Sequence, residues 1–126
     1  MGNQILIVDD DVDLLETFKD SLTLRGYDVI TAFDGQEAIK QYNENEPCIT
    51  FMDIKMPVMD GYAATKEIRK WEKYKSMETT PVIALTAHAM KEHEQKSIEA
   101  GCNDHVIKPI KKARLMETIN KYNRGK

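Results

Sequence analysis

Five short apolar runs punctuate this chain, separated by longer amphipathic segments, and that alternation restricts the fold more than any other property. Ile5-Leu6-Ile7-Val8 reads as a first buried strand. Val12, Leu15, Phe18 and Leu22 then recur at helical spacing up to a break at Gly26. Val29-Ile30-Thr31-Ala32 predicts a second strand, and Asp34-Gly35-Gln36-Glu37 has the offset of a capping box opening a helix through Ile39 and Tyr42. Cys48 to Met52 predicts a third strand, ending at Asp53. After a loop with Pro57 and Gly61, a stripe of Ala64, Ile68 and Trp71 marks a third helix, broken by Thr79-Thr80-Pro81 before a fourth strand, Val82 to Thr86. A polar helix from about Ala89 to Ala100 stops at Gly101, His105-Val106-Ile107 gives a short fifth strand, and Leu115, Ile119 and Tyr122 mark a last helix.

Strands alternating with helices in this way imply a parallel sheet covered on both faces, and the connections are long enough for right-handed crossovers. The expected fold is therefore α/β, a doubly wound five-stranded parallel sheet with five helices, in one domain over residues 1–126. With 41% hydrophobic and 31% charged residues, there is apolar material for one core and a soluble surface. No apolar run approaches the ~18–20 residues of a membrane span, and the N-terminus enters the first strand without a signal-like stretch. A cytoplasmic protein that does not bind a membrane is expected.

Residues 1–107 carry 20 acidic and 11 basic side chains, whereas residues 108–126 carry seven basic ones and only Glu117. Those late cations surround an apolar helical stripe, so they predict a solvated helix face and no direct contact with nucleic acid. Cys48 and Cys102 are too few and too unpatterned for a disulfide framework or a zinc site, and Cys48 is expected in the core.

Open doubly wound sheets bind ligands beyond the carboxyl ends of their strands. Reading only those ends gives Asp9, Asp10 and Asp11 after strand one, Asp53 after strand three, Thr86 after strand four and Lys108 after strand five. Singly, each has an ordinary explanation, as a helix-start acid or a turn residue. Jointly they would place carboxylates, a hydroxyl and an ammonium in one pocket. A pair of carboxylates about 4 Å apart repels by roughly 4 kcal/mol at an effective dielectric of ~20, which calls for a proton or a cation. Hard oxygen ligands with room for water suit Mg²⁺. Carboxylate, Mg²⁺, lysine and hydroxyl together fit phosphoryl transfer onto a carboxylate nucleophile, with Asp53, on a central strand, the best candidate.

At these residues the sequence resembles the receiver domains of two-component response regulators, the CheY-like domains. The resemblance rests on Ile5-Leu6-Ile7-Val8-Asp9-Asp10, Met52-Asp53-Ile54-Lys55-Met56-Pro57-Val58-Met59-Asp60-Gly61, Ala84-Leu85-Thr86-Ala87 and Lys108-Pro109. Leu85-Thr86-Ala87-His88-Ala89-Met90 also looks like receivers of hybrid histidine kinases or phosphorelays. The resemblance implies a flavodoxin-like sheet of order 2-1-3-4-5 and a phosphoryl group taken on Asp53 from phosphohistidine on a histidine kinase or phosphotransfer domain. It implies Mg²⁺ held by Asp10, Asp53 and the Lys55 backbone carbonyl, with Asp9 acting largely through water. Lys108 and the Thr86 hydroxyl would hold phosphoryl oxygens, and the Lys108-Pro109 bond is often cis in such domains.

His105 stands where many relatives carry Tyr or Phe as the aromatic partner of the switch threonine. An imidazole is smaller and titrates near neutrality, so a weaker or pH-sensitive switch is expected. Lys55 and His88 border the expected pocket, where they would alter how water reaches an acyl phosphate.

Leu14, off the first helix stripe, is expected to form an apolar docking patch with Pro109 and Ile110 for the phosphodonor. The polar helix, with few apolar contacts, is expected to report phosphorylation together with strand five and the last helix. No output segment follows residue 122, so output would be a contact of the domain itself, a monomer in isolation, or of parts outside this chain. An aspartyl phosphohydrolase is disfavoured because Lys55 stands where such enzymes place a second acid. A phosphate-independent interaction domain is disfavoured by the intact acidic, threonine and lysine set. A nucleotide-binding domain lacks its glycine-rich turn after strand one.

Overall fold

The computed structural model describes residues 4–56, 58–87 and 91–122. Its elements follow in the order β1 (Gln4–Val8), α1 (Val12–Leu24), β2 (Asp28–Ala32), α2 (Gly35–Asn45), β3 (Ile49–Asp53), α3 (Gly61–Tyr74), β4 (Val82–Thr86), α4 (Lys91–Ala100), β5 (Asp104–Ile107) and α5 (Lys112–Tyr122). All pairings are parallel, and the sheet order is β2-β1-β3-β4-β5. The expected doubly wound sheet is the observed one.

Strand side chains alternate between faces, and each face has its own apolar layer. Ile5, Ile7, Phe51, Ile83, Leu85 and Val106 meet Leu15, Phe18 and Leu22 of α1 and Leu115 and Ile119 of α5. Leu6, Val8, Met52 and Val82 meet Ala38 and Tyr42 of α2 and Ala64 and Ile68 of α3. Because helices cover both sides, the strands read as continuous apolar runs without alternation. Among the described residues no helix is long and apolar enough to cross a membrane.

The helix starts follow their capping residues. Asp11, Asp34 and Asp60 each accept a backbone N–H three residues on, from Leu14, Glu37 and Ala63. Glu37 returns the bond to the N–H of Phe33, one residue before the cap, completing a capping-box arrangement.

Several boundaries differ from the sequence expectation. Val12 is 57% exposed, because the first turn of α1 projects past the sheet, and the buried stripe starts at Leu15. Cys48 is only half-buried and precedes β3; its N–H and thiol both donate to the Gln4 carbonyl. Strand β5 starts one residue early, at Asp104. Helix α4 is described from Lys91, and the expected start at Ala89 lies outside the described residues, as do His88, Met90 and Pro57.

At the amino-terminal edge of the sheet lies a polar node that the sequence does not announce. Glu72 is buried, yet it accepts from the Arg69 guanidinium (2.8 Å), the Thr80 N–H (3.0 Å) and the Tyr42 hydroxyl. Burial foremost, then the bond to Glu72, pushes the Tyr42 phenol well above its ordinary range. Arg69 uses all its N–H groups. Nη1 also donates to the Thr80 carbonyl, Nε and Nη2 to the Gly101 carbonyl, and Nη2 to Asn103 Oδ1. Asn103 Oδ1 accepts in turn from Val82 N–H, at the start of β4.

Candidate functional site

The register sets which side chains share the carboxyl edge of the sheet. Val8 pairs with Met52, so Asp9 and Asp53 leave their strands at the same level. Thr86 pairs with Ile107, so Lys108 follows one step beyond the threonine. The Lys108 N–H donates to the Thr86 carbonyl at 2.7 Å and holds the two strand ends together.

Asp9, Asp10, Asp53 and Lys108 form one charged cluster. Ligand oxygens of Asp9, Asp10 and Asp53 all lie within 4.8 Å of one another. Lys108 Nζ stands 2.8 Å from Asp9 Oδ2 and 3.2 Å from Asp53 Oδ1. Asp9 is fully buried and its Oδ1 accepts from the Asp11 N–H, which fixes its orientation. Asp53 is buried, whereas Asp10 is exposed and gives the cluster an open side. Asp10, Asp53, Lys55, Thr86 and Lys108 line one cavity of about 250 Å³ with Ile54, Leu85 and Ala87.

The electrostatics follow from this crowding. Burial, then the charge of Asp9, pushes the Asp53 carboxyl up to about 6, although Lys108 and the Lys55 N–H pull the other way. Burial alone would lower the Lys108 ammonium, but its contacts with Asp9 and Asp53 outweigh that and hold it above its usual range. One lysine against three carboxylates leaves an excess of negative charge. A hard divalent cation fits this donor set, because the oxygens converge and the Asp10 side admits water. The observed surroundings are those a carboxylate nucleophile toward phosphorus needs: a nearby ammonium, converging metal-type oxygens and space beyond the strand end.

The end of β3 is packed closely by the start of α3. Gly61 opens α3 directly against β3, and its N–H donates to the Ile54 carbonyl at 3.0 Å. A Cβ there would come within 2.3 Å of the Asp53 carbonyl oxygen and 2.9 Å of Ile54 Cα. Gly61→Ala is therefore expected to cost about 2–3 kcal/mol, since backbone must move, and urea unfolding measures it directly. The sequence hint was slight, a glycine at a helix start instead of past its end. Val58, in the same loop, holds φ at +69° with a fully exposed side chain, a strained conformation for a β-branched residue.

The remaining expected residues fall as follows. His105 pairs with Ala84 on β4 and so shares a sheet face with Thr86, two pairs further on. Leu14 and Ile110 are half-buried and pack against the same apolar layer, beside α1 and α5, while Pro109 is exposed. The Lys108-Pro109 bond is cis.

The model of the response regulator receiver domain matches residues 5–120. Chemotaxis protein CheY of Thermotoga maritima is 36% identical over 125 residues, covering 98% of this chain and all of that protein. A hybrid signal transduction histidine kinase of Dictyostelium discoideum is 39% identical over 93% of this chain, which spans only 7% of the kinase. The chain likewise spans 48% of the transcriptional regulatory protein PrrA of Mycobacterium tuberculosis.

Among solved structures, a Saccharomyces cerevisiae receiver domain was crystallised with a histidine phosphotransfer signalling protein. It superposes with a TM-score of 0.91 at 29% identity, covering 95% of this chain and 88% of that one. The receiver domain of a sensor histidine kinase from Pseudomonas aeruginosa, with magnesium in its active-site cleft, gives a TM-score of 0.81 at 33% identity. That match covers 97% of this chain and 98% of that one. With the fold, the acidic edge and these matches in agreement, this chain belongs to the response regulator receiver domain family of two-component and phosphorelay signalling.

Proposed function

We propose that the domain, taken as one unit over residues 1–126, accepts a phosphoryl group on Asp53 from a phosphohistidine donor. The supporting observation is the convergence of Asp9, Asp10 and Asp53 with Lys108 lying against two of them. Asp53 and Asp10, with the Lys55 carbonyl and with Asp9 through water, would hold Mg²⁺, which when bound supplies positive charge to the transferred group. A carboxylate oxygen of Asp53 forms the new O–P bond as the P–N bond to the donor imidazole breaks, and the imidazole leaves with the electron pair. Lys108 and the Thr86 hydroxyl stabilise charge on the phosphoryl oxygens. Hydrolysis of the acyl phosphate returns Asp53 to its carboxylate, so the domain acts on no substrate beyond its own phosphoryl group.

Intact mass after incubation with Mg²⁺ and acetyl phosphate tests this. One phosphoryl group is expected, absent in Asp53→Asn and absent with chelator. No gain in mass, or a gain that survives Asp53→Asn, overturns the assignment.

Switching then runs through Thr86 and His105, whose imidazole is a smaller inward partner than a phenol ring. The donor, a histidine kinase or phosphotransfer domain, docks on Leu14, Pro109 and Ile110. Leu14→Asp is expected to slow transfer from the donor domain while leaving acetyl phosphate labelling unchanged; equal slowing of both would place Leu14 in the fold instead. On this reading the domain works in the cytoplasm as a monomer, without direct contact with nucleic acid or membrane.

A further inference from the structure

The turn between α4 and β5 is held from two sides. From α3, Arg69 donates three hydrogen bonds to it, two to the Gly101 carbonyl (3.0 and 2.8 Å) and one to Asn103 Oδ1 (2.8 Å). From α5, Lys121 and the Tyr122 hydroxyl both reach Asp104 Oδ2 at 3.1 Å, and Tyr122 also donates to the Asn103 carbonyl. The turn is closed internally as well. The N–H groups of Gly101 and Cys102 donate to the Ser97 carbonyl, and the Asn103 N–H donates to the Val82 carbonyl. Gly101 sits at φ +105°, with the Arg69 side chain occupying the space a Cβ would need.

Arg69 is itself fixed by buried Glu72, which Tyr42 and Thr80 hold in turn. By contrast, the outward face of α4 carries Gln95, Lys96, Ile98 and Glu99 exposed, and only Ser97 and Ala100 of its last six residues are buried. Over these six residues the helix is lightly packed, and it is firmly attached at its end.

We propose that Arg69 anchors the α4–β5 turn, so that a change starting at Asp53 and Thr86 is expressed along α4 and stops at Ser97. The device rests on the phosphoacceptor reading for its input and on the Arg69 contacts for its boundary. It makes the output of this domain directional. The amino-terminal part of α4 responds, while the turn that leads into β5 and His105 holds its position.

Hydrogen exchange read by mass spectrometry tests both parts, with intact mass recording phosphoryl uptake in the same samples. The variant is Arg69→Lys, which keeps a positive charge beside Glu72 but removes the fork that reaches Gly101 and Asn103. In the unmodified protein, amides of 101–103 are expected to exchange about tenfold or more faster in Arg69→Lys than in wild type. On phosphorylation, wild type should change exchange in the 91–96 segment and not in 101–103, whereas in Arg69→Lys the change should extend through 103. Asn103→Ala, which removes one of the clasped acceptors, should move in the same direction by a smaller factor.

Unaltered exchange at 101–103 in unmodified Arg69→Lys removes the anchor. A phosphorylation response in wild type that includes 101–103, or that leaves 91–96 unchanged, removes the boundary. A sample that gains no phosphoryl mass rejects the phosphoacceptor reading and the directional output with it, while the unmodified comparison still decides whether Arg69 clasps the turn.

Discussion

Replacing Glu72 with alanine is expected to remove about 3–5 kcal/mol of folding stability, a loss typical of breaking a buried charge pair. Among the described residues, the groups that point at this carboxylate are donors: Arg69 Nη1, the Thr80 N–H, the Tyr42 hydroxyl and, at 3.4 Å, the Thr80 hydroxyl. Alanine leaves those donors facing a void. Arg69, with its side chain 18% exposed, recovers only part of its lost partner from water. Glutamine does not solve the problem, because one end of its amide must present N–H groups to another donor; about 2–3 kcal/mol is expected for Glu72→Gln. Urea unfolding of both variants gives the ordering. The control is Glu67→Gln on the same helix, whose exposed pair with Lys70 should matter by less than about 0.5 kcal/mol. If Glu72→Ala falls inside the range of that control, the node carries no weight in the fold.

Asp53→Asn should act in the opposite direction on stability while abolishing phosphoryl uptake. In chelator at pH 7.5 the variant is expected to be more stable than wild type by roughly 1–3 kcal/mol, from a carboxyl held about two pH units above its unfolded value. The sign follows from the direction of the shift. With its folded value raised to about 6, the buried Asp53 carboxyl binds its proton more tightly in the folded state than in the unfolded chain. Its contribution is therefore fully present below pH ~4 and is lost as pH rises through about 6. The advantage of asparagine should then shrink toward zero between pH 6 and pH 4. Saturating Mg²⁺ should favour wild type more than the variant, since binding to the folded state adds stability. Denaturation midpoints of the two proteins across that pH range, with and without Mg²⁺, read the whole pattern. A gap independent of pH would show that burial of the Asp53 charge is not its cause.

The strand ends were legible because a parallel sheet repeats one rule: an apolar run ends, and the next side chain lies on the ligand edge. Asp9, Asp53, Thr86 and Lys108 could be collected by that rule without knowing a single contact. The order of the sheet required the family resemblance, since apolar runs do not say which strand neighbours which. The Arg69–Glu72 node escaped because a buried glutamate and a solvated one look alike in sequence. Only Thr80 and Tyr42, brought in from other elements, distinguish them. Val12 misled for a related reason. Helical spacing marks a face, but how far the first turn overhangs the sheet depends on the loop before it. Val58 gave no warning either, since its positive φ is a backbone state that a β-branched residue type does not signal.

Two buried charged clusters lie at opposite ends of the central strands, the acids and Lys108 at one, the Arg69–Glu72 node at the other. A strand of five residues separates them by roughly 17 Å, beyond the range at which substitutions usually interact. Substitutions around Asp53 are therefore expected to leave the framework intact, and losses at Glu72 should simply add to gains at Asp53. Such a division of labour lets one scaffold be reissued for many signalling tasks, each new chemistry written at one rim while the other keeps the shape.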